Sequence, residues 1–201
     1  MSKVLVLNSS VSGEASVSRT LVADTVAAIR SNDPRAQIIQ RDLAASPLPH
    51  LLPETVAGVR AEPTTDAEHA ARALSDELVA ELKDADTLVI GAPMYNFGMP
   101  SQLKAWFDYV LRAGIAFKYS EAGPEGLLKG KRAVVIETRG GLYSEGPAAA
   151  MDSQEPHLRT LLGFMGITDV TFVLAEKLAF GDDAKAASLA AAREELQRFA
   201  A

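Results

Sequence analysis

Three short segments of this sequence gather residue types able to hold a flat, singly phosphorylated ligand. In the first, Asn8-Ser9-Ser10-Val11-Ser12-Gly13-Glu14-Ala15-Ser16-Val17-Ser18, five serines stand between an apolar run and a helix-patterned stretch that begins near Arg19. Serine hydroxyls and the unpaired N–H groups of a helix N-terminus donate to a phosphate without adding a cation that needs its own partner. Serines also cap helices routinely, so this loop alone leaves phosphate binding and capping equally open. The second segment, Ala92-Pro93-Met94-Tyr95-Asn96-Phe97-Gly98-Met99-Pro100, is unusually aromatic for a turn. It offers apolar side chains to lie along a heteroaromatic ring such as isoalloxazine, and Asn96 as a donor to ring heteroatoms; for any single aromatic, anchoring the loop to the core is the simpler role. In the third, Thr138-Arg139-Gly140-Gly141, paired glycines allow backbone N–H groups to approach an anionic ligand edge, although a tight turn would need no more.

These segments acquire meaning from the elements that must position them. Short β-branched or leucine-rich runs at 4–7, 38–39, 87–90, 133–136 and 170–174 predict five strands. Between and after them, helical patterning covers about 19–31, 65–85, 101–112, 148–165 and 183–200. The β-α alternation, with strands apolar on both faces, predicts an α/β fold: a flavodoxin-like doubly wound five-stranded parallel sheet, order 2-1-3-4-5, with helices on both faces. In that order the ligand crevice lies at the carboxyl ends of strands 1, 3 and 4, where the three segments fall. Residues 47–63, punctuated by Pro47, Pro49, Pro53 and Pro63, read as a long irregular excursion and a candidate lid or interface.

The length of 201 residues and a hydrophobic content of 48% suit a single domain spanning 1–201. A formal net charge of −6 argues against nucleic acid and anionic membrane surfaces as partners, which leaves small molecules. Zero cysteines exclude disulfides, cysteine-based metal sites and a thiol nucleophile, and fit a reducing compartment. Only four apolar residues, Val4 to Leu7, follow Met1-Ser2-Lys3, too few for a secretory core, so the expectation is a cytoplasmic protein. His50, His69 and His157 are scattered and read as surface or packing residues, so no metal site is expected. Neither Gly-x-Gly-x-x-Gly nor Gly-x-x-x-x-Gly-Lys occurs, which excludes a Rossmann dinucleotide fingerprint and a Walker A loop; there is no Gly-x-Ser-x-Gly elbow either.

Taken together, the segments resemble one family along nearly the whole chain. The resemblance rests on Val4-Leu5-Val6-Leu7-Asn8-Ser9-Ser10, Arg41-Asp42-Leu43-Ala44 and Ala92-Pro93-Met94-Tyr95-Asn96-Phe97. Gly123-Pro124-Glu125-Gly126-Leu127, Thr138-Arg139-Gly140-Gly141 and Gly163-Phe164-Met165-Gly166-Ile167-Thr168-Asp169-Val170 complete it. The chain resembles the FMN-dependent NADH-azoreductases, also called FMN-dependent NADH:quinone oxidoreductases, of the flavodoxin-like superfamily. This implies FMN held by Ser10 and, around the phosphate, by Ser16, Val17 and Ser18. Met94, Tyr95, Asn96 and Phe97 would lie along the ring, and Thr138, Arg139, Gly140 and Gly141 at its pyrimidine end. It implies NADH as electron donor, and a quinone or aromatic azo compound as acceptor, in a ping-pong cycle carried by the flavin rather than by a catalytic side chain. Phe97, Tyr119 and Phe164 are the candidate walls of the acceptor site, shared across a homodimer. Thr138 stands where serine is common in the family and keeps the hydroxyl; the stretch 148–156 is longer than usual, which bears on the rim. Two other classes compete, a flavodoxin-type electron carrier and a flavin-free regulatory module; the 47–63 excursion and the aromatic loop favour a covered small-molecule site.

Overall fold

The computed structural model describes residues 2–201. In chain order the elements are β1 (Lys3–Asn8), α1 (Val17–Asn32), β2 (Gln37–Asp42), α2 (Val56–Arg60), α3 (Asp66–Asp84), β3 (Thr87–Pro93) and α4 (Ser101–Val110). They continue with β4 (Phe117–Ser120), β5 (Gly123–Gly126), β6 (Arg132–Thr138), α5 (Gln154–Phe164), β7 (Asp169–Ala175) and α6 (Asp182–Ala200). The large sheet is parallel, in the order β2-β1-β3-β6-β7. Counting only its own strands, this is the expected 2-1-3-4-5.

Strand periodicity sorts the core into two layers. Leu5, Leu7, Leu88, Ile90, Ala133 and Val135 point to one face, where they bury Leu78 and Leu82 of α3, Trp106 and Phe107 of α4, and Leu158 and Leu162 of α5. Val4, Val6, Val89, Val134 and Ile136 point to the other, against Leu21, Val22, Val26 and Ile29 of α1 and Leu196 of α6. From β1 the chain winds outward to β2, then crosses back to β3 on the other side. The winding direction therefore reverses between β1 and β3, and a crevice opens beyond their carboxyl ends.

Three features depart from the sequence pattern. The helix expected over 148–165 is broken: Ala149–Met151 form a 3₁₀ turn, and α5 begins only at Gln154. The break lies where Asp152 Oδ1 accepts the N–H groups of Gln154 (2.8 Å) and Glu155 (3.3 Å), a local bond that competes with helix continuation. The antiparallel β4–β5 hairpin was not signalled by the strand pattern. Its base is fixed where Gly126 meets Gly166: a Cβ on Gly126 would stand 2.1 Å from the Gly166 nitrogen. Two segments of the family resemblance, distant in sequence, are thus in backbone contact. Finally, the proline-marked 47–63 segment contains α2 and is tied to α3, with the Arg72 guanidinium donating to the carbonyls of Gly58 and Ala61.

Candidate functional site: a crevice at the carboxyl edge of the sheet

A crevice of about 290 Å³ lies where β1, β3 and β6 end. All three segments line it: Ser10, Ser12, Ser16 and Val17 from the first, Pro93, Met94 and Tyr95 from the second, Thr138 and Gly140 from the third. Leu178 and Ala179, beyond β7, complete the lining; the sequence reading missed them, although β7 runs beside β6 and ends at the same edge.

The serine loop both caps and lines. Ser16, in extended conformation, accepts the Arg19 N–H at 3.3 Å as N-cap of α1, and its hydroxyl meets that of Ser18 at 3.1 Å. Ser18 is buried within the helix start, whereas the first N–H groups of α1 have no intrahelical acceptor and open beside Ser16 and Val17. Arg19 grips Asp42 through both terminal nitrogens, at 2.5 and 2.7 Å, and the Ser10 carbonyl at 3.2 Å. That hydrogen-bonded pairing holds the Asp42 carboxyl below its usual range and commits the arginine charge, and among the described residues no cation lines the crevice.

Tyr95 joins the first two segments. Its phenol oxygen accepts the Val11 N–H at 3.1 Å and lies 3.3 Å from the Ser10 hydroxyl. Burial raises the phenol, but hydrogen bonds with Ser10, Ser12 and the Val11 amide outweigh it and leave it below the usual tyrosine value. The next two residues form a tight hairpin turn, with Tyr95 N–H bound to the Gly98 carbonyl (2.9 Å) and Gly98 N–H returned to Tyr95 (3.1 Å). Both central residues are left-handed, Asn96 at φ 48° and Phe97 at φ 71°. Asparagine tolerates this; a phenylalanine there stores strain on the order of 1–3 kcal/mol. Ser153 holds the turn, its N–H (3.1 Å) and hydroxyl (2.8 Å) donating to the Phe97 carbonyl. The Asn96 and Phe97 side chains are exposed at the rim, Phe97 edge-on to Tyr143 with ring centres 6.0 Å apart.

At the third wall, Met94 N–H donates to the Thr138 carbonyl at 2.9 Å and clamps β3 to β6. Neither Gly140 nor Gly141 adopts positive φ, so conformational freedom is not the reason for the pair. Space matters at Gly141 alone, where a Cβ would lie 2.9 Å from the Tyr143 ring; at Gly140 it would meet only the Ala179 Cβ at 3.8 Å. The carbonyls of Gly140 and Gly141 accept from Ala179 (3.0 Å) and Lys177 (2.8 Å), and among the described residues no acceptor takes their N–H groups. Arg139 differs from its expected place beside the ligand. Its side chain is wholly buried among Glu137, Asp152 and Glu176, its N–H is bonded to Ala175 and its carbonyl to Leu178.

The three candidate acceptor-site aromatics do not meet within one chain. Tyr119 and Phe164 both contact Phe117, with ring centres at 5.4 and 4.5 Å. Phe164 ends α5, whose start is tied to Phe97 through Ser153; eleven residues at about 1.5 Å each separate the two. His50, His69 and His157 are exposed and outside the crevice lining.

Comparison with known proteins agrees with this geometry. Residues 2–200 match the flavodoxin-like fold family. The FMN-dependent NADH:quinone oxidoreductase of Hyphomonas neptunium is 60% identical over 100% of this chain and 96% of its own length. That of Azotobacter vinelandii is 51% identical with complete coverage of both. The chain belongs to this family. A structure of the family, the Bacillus anthracis FMN-dependent NADH-azoreductase in complex with FMN, has a TM-score of 0.90 at 28% identity, covering 100% of this chain and 98% of its own. The crevice fits the flavin of the family's name. Hydroxyls and a helix N-terminus suit one phosphate, and the uncommitted N–H groups of Gly140 and Gly141 suit an anionic ring edge.

Proposed function

We propose that this protein is a cytoplasmic, homodimeric flavoenzyme that uses NADH to reduce quinones and to cleave aromatic azo compounds to amines. The observation that carries the reading is the convergence of the serine loop, the aromatic segment and, from the third segment, Thr138 and Gly140 on one crevice. Bound FMN supplies the two-electron transfer between NADH and the acceptor; the protein's residues bind and orient it. Ser10, Ser16, Val17 and Ser18 form the phosphate end, with neutral donors and the α1 N-terminus in place of a cation. Met94, Tyr95, Asn96 and Phe97 run along the ring, and Thr138, Gly140 and Gly141 face its pyrimidine end with backbone N–H groups aimed where charge develops on reduction.

Phe97, backed by Tyr143, is the acceptor wall that each chain contributes to its own crevice. Tyr119 and Phe164, gathered around Phe117, are assigned to the crevice of a second copy. Supporting the homodimer, Val11, Phe97 and Met151 leave apolar surface exposed on the segments around the crevice, and Tyr119 is 75% exposed at the hairpin. The cysteine-free composition supports the cytoplasm.

The test is anaerobic mixing of the FMN-loaded protein with NADH or NADPH, followed by a quinone or an azo dye. Bleaching of the flavin by NADH and its re-oxidation by either acceptor are expected, at one FMN per chain. A flavin that stays oxidised in NADH, or an extracted cofactor other than FMN, overturns the reading.

A further inference from the structure

Beneath the third wall of the crevice lies a layer of buried charge that ligand contact does not use. The Arg139 guanidinium, fully buried, faces Glu137 at 2.5 Å, Asp152 at 2.9 Å and Glu176 at 3.2 Å. Each carboxylate sits on a different stretch of chain: Glu137 on β6, Asp152 just before α5, Glu176 just beyond β7. Two of them pass the restraint on to the rim. Glu176 accepts the N–H groups of Tyr143 (2.8 Å) and Ser144 (3.0 Å) and the Ser144 hydroxyl. Asp152 accepts the first N–H groups of α5, next to Ser153, which holds the Phe97 turn, and Gln154, whose amide donates to the Ala92 carbonyl at 2.7 Å. The irregular rim between residues 143 and 152 is therefore anchored at both ends to one guanidinium.

We propose, on the reading that the crevice holds FMN, that Arg139 is a positioning residue. Through Glu176 and Asp152 it sets the glycine pair and the Phe97 turn against the cofactor without touching it. Buried ion pairs are poor stabilisers, because desolvation offsets their attraction and apolar replacements are often neutral. Three acids on one arginine is also an unbalanced charge count for a stabilising device. What the cluster supplies is direction: a planar fork has fixed donor directions toward several chain segments, which a lysine ammonium lacks. Glu137 supports the assignment, since burial pushes its carboxyl up to about 8. A protonated Glu137 leaves the arginine charge to Asp152 and Glu176, the two acids that hold the rim.

The experiment compares wild type, Arg139→Lys and Asp152→Asn by FMN affinity, flavin reduction potential and amide hydrogen exchange, the last also measured without flavin. Arg139→Lys is expected to weaken FMN binding by about tenfold, the scale on which residues that orient a binding group act. Its potential should fall, and exchange at Tyr143 and Ser144 should accelerate, while the amides of β1 and β2 keep their protection. Asp152→Asn keeps the oxygen that starts α5 and is the fallback if Arg139→Lys does not fold. Its exchange should accelerate at Ser153, with a smaller loss of affinity. Wild-type affinity, potential and exchange in a folded variant overturn the proposal. Failure of the wild type to bind FMN overturns the flavin reading instead, and exchange in the flavin-free protein then decides alone whether Arg139 holds the rim.

Discussion

Replacing Glu137 by glutamine removes a titrating proton from a site where the fold retains one. The carboxyl is wholly buried, and desolvation, only partly opposed by Arg139, raises it from 4.5 to about 8. A carboxyl raised by folding favours the folded state as long as it keeps a proton that the unfolded chain would release. Its contribution is complete below 4.5, declines as the pH rises, and is gone above about 8. Each pH unit within that window is worth about 1.4 kcal/mol, so raising the pH from about 6 to about 9 should cost wild type about 3 kcal/mol from this group alone. Glutamine has a similar shape, keeps an acceptor for Arg139 and does not titrate. The assay is urea unfolding of wild type and Glu137→Gln across that pH range, and the difference between their stability curves isolates this group from every other titration. The variant should gain on wild type by about 3 kcal/mol toward the alkaline end. Parallel curves would show that Glu137 is already ionised at the acidic end and would refute the argument from desolvation.

Three further outcomes test other parts of the structure. Gly126→Ala places a methyl 2.1 Å from the Gly166 nitrogen, backbone against backbone, and should destabilise by more than about 4 kcal/mol, lowering the calorimetric Tm by about 10 °C or preventing folding; an unchanged Tm would mean the hairpin base is not close-packed. Ser16→Ala removes the N-cap of α1 and should cost about 1 kcal/mol, a fall in Tm of about 3 °C, with weaker FMN binding by fluorescence titration. Gly141→Val crowds the Tyr143 ring and would displace the N–H groups proposed to face the reduced flavin, so stopped-flow reduction by NADH should slow by about two decades, or about 3 kcal/mol. An unchanged rate with FMN bound would reduce Gly141 to a packing residue.

The fold was legible in the sequence because doubly buried parallel strands leave few patterns to confuse. Thr87-Leu88-Val89-Ile90 is apolar but for Thr87, and β3 is buried along its whole length. That the serine loop, the aromatic turn and the glycine pair come together was legible because strand order places all three at one edge. Arg139, which the family resemblance places with Thr138, Gly140 and Gly141 at the pyrimidine end, turns its side chain beneath the crevice. The contrary signal was Glu137, a charge two residues away at the end of an apolar strand, hence on the same face and paired beneath the crevice. The break before α5 was hidden in Ala148-Ala149-Ala150-Met151, residues with strong helix propensity; a side-chain bond from Asp152 overrides them. Leu178 and Ala179 carried no signal beyond their place after the last strand.

The Tyr95–Gly98 turn separates shape from chemistry at the mouth of the site. Its geometry is held by main-chain bonds between Tyr95 and Gly98 and by Ser153 gripping the Phe97 carbonyl, with no hydrogen bond from the outward side chains of Asn96 and Phe97 among the described residues. The two positions proposed to lie at the acceptor's entrance are thus open to replacement as far as the turn's shape goes, provided the newcomer accepts a left-handed backbone. Glycine, asparagine and aspartate meet that condition most easily, and small libraries at these positions would change what the turn offers to the ring and the acceptor while its main-chain shape stays the same.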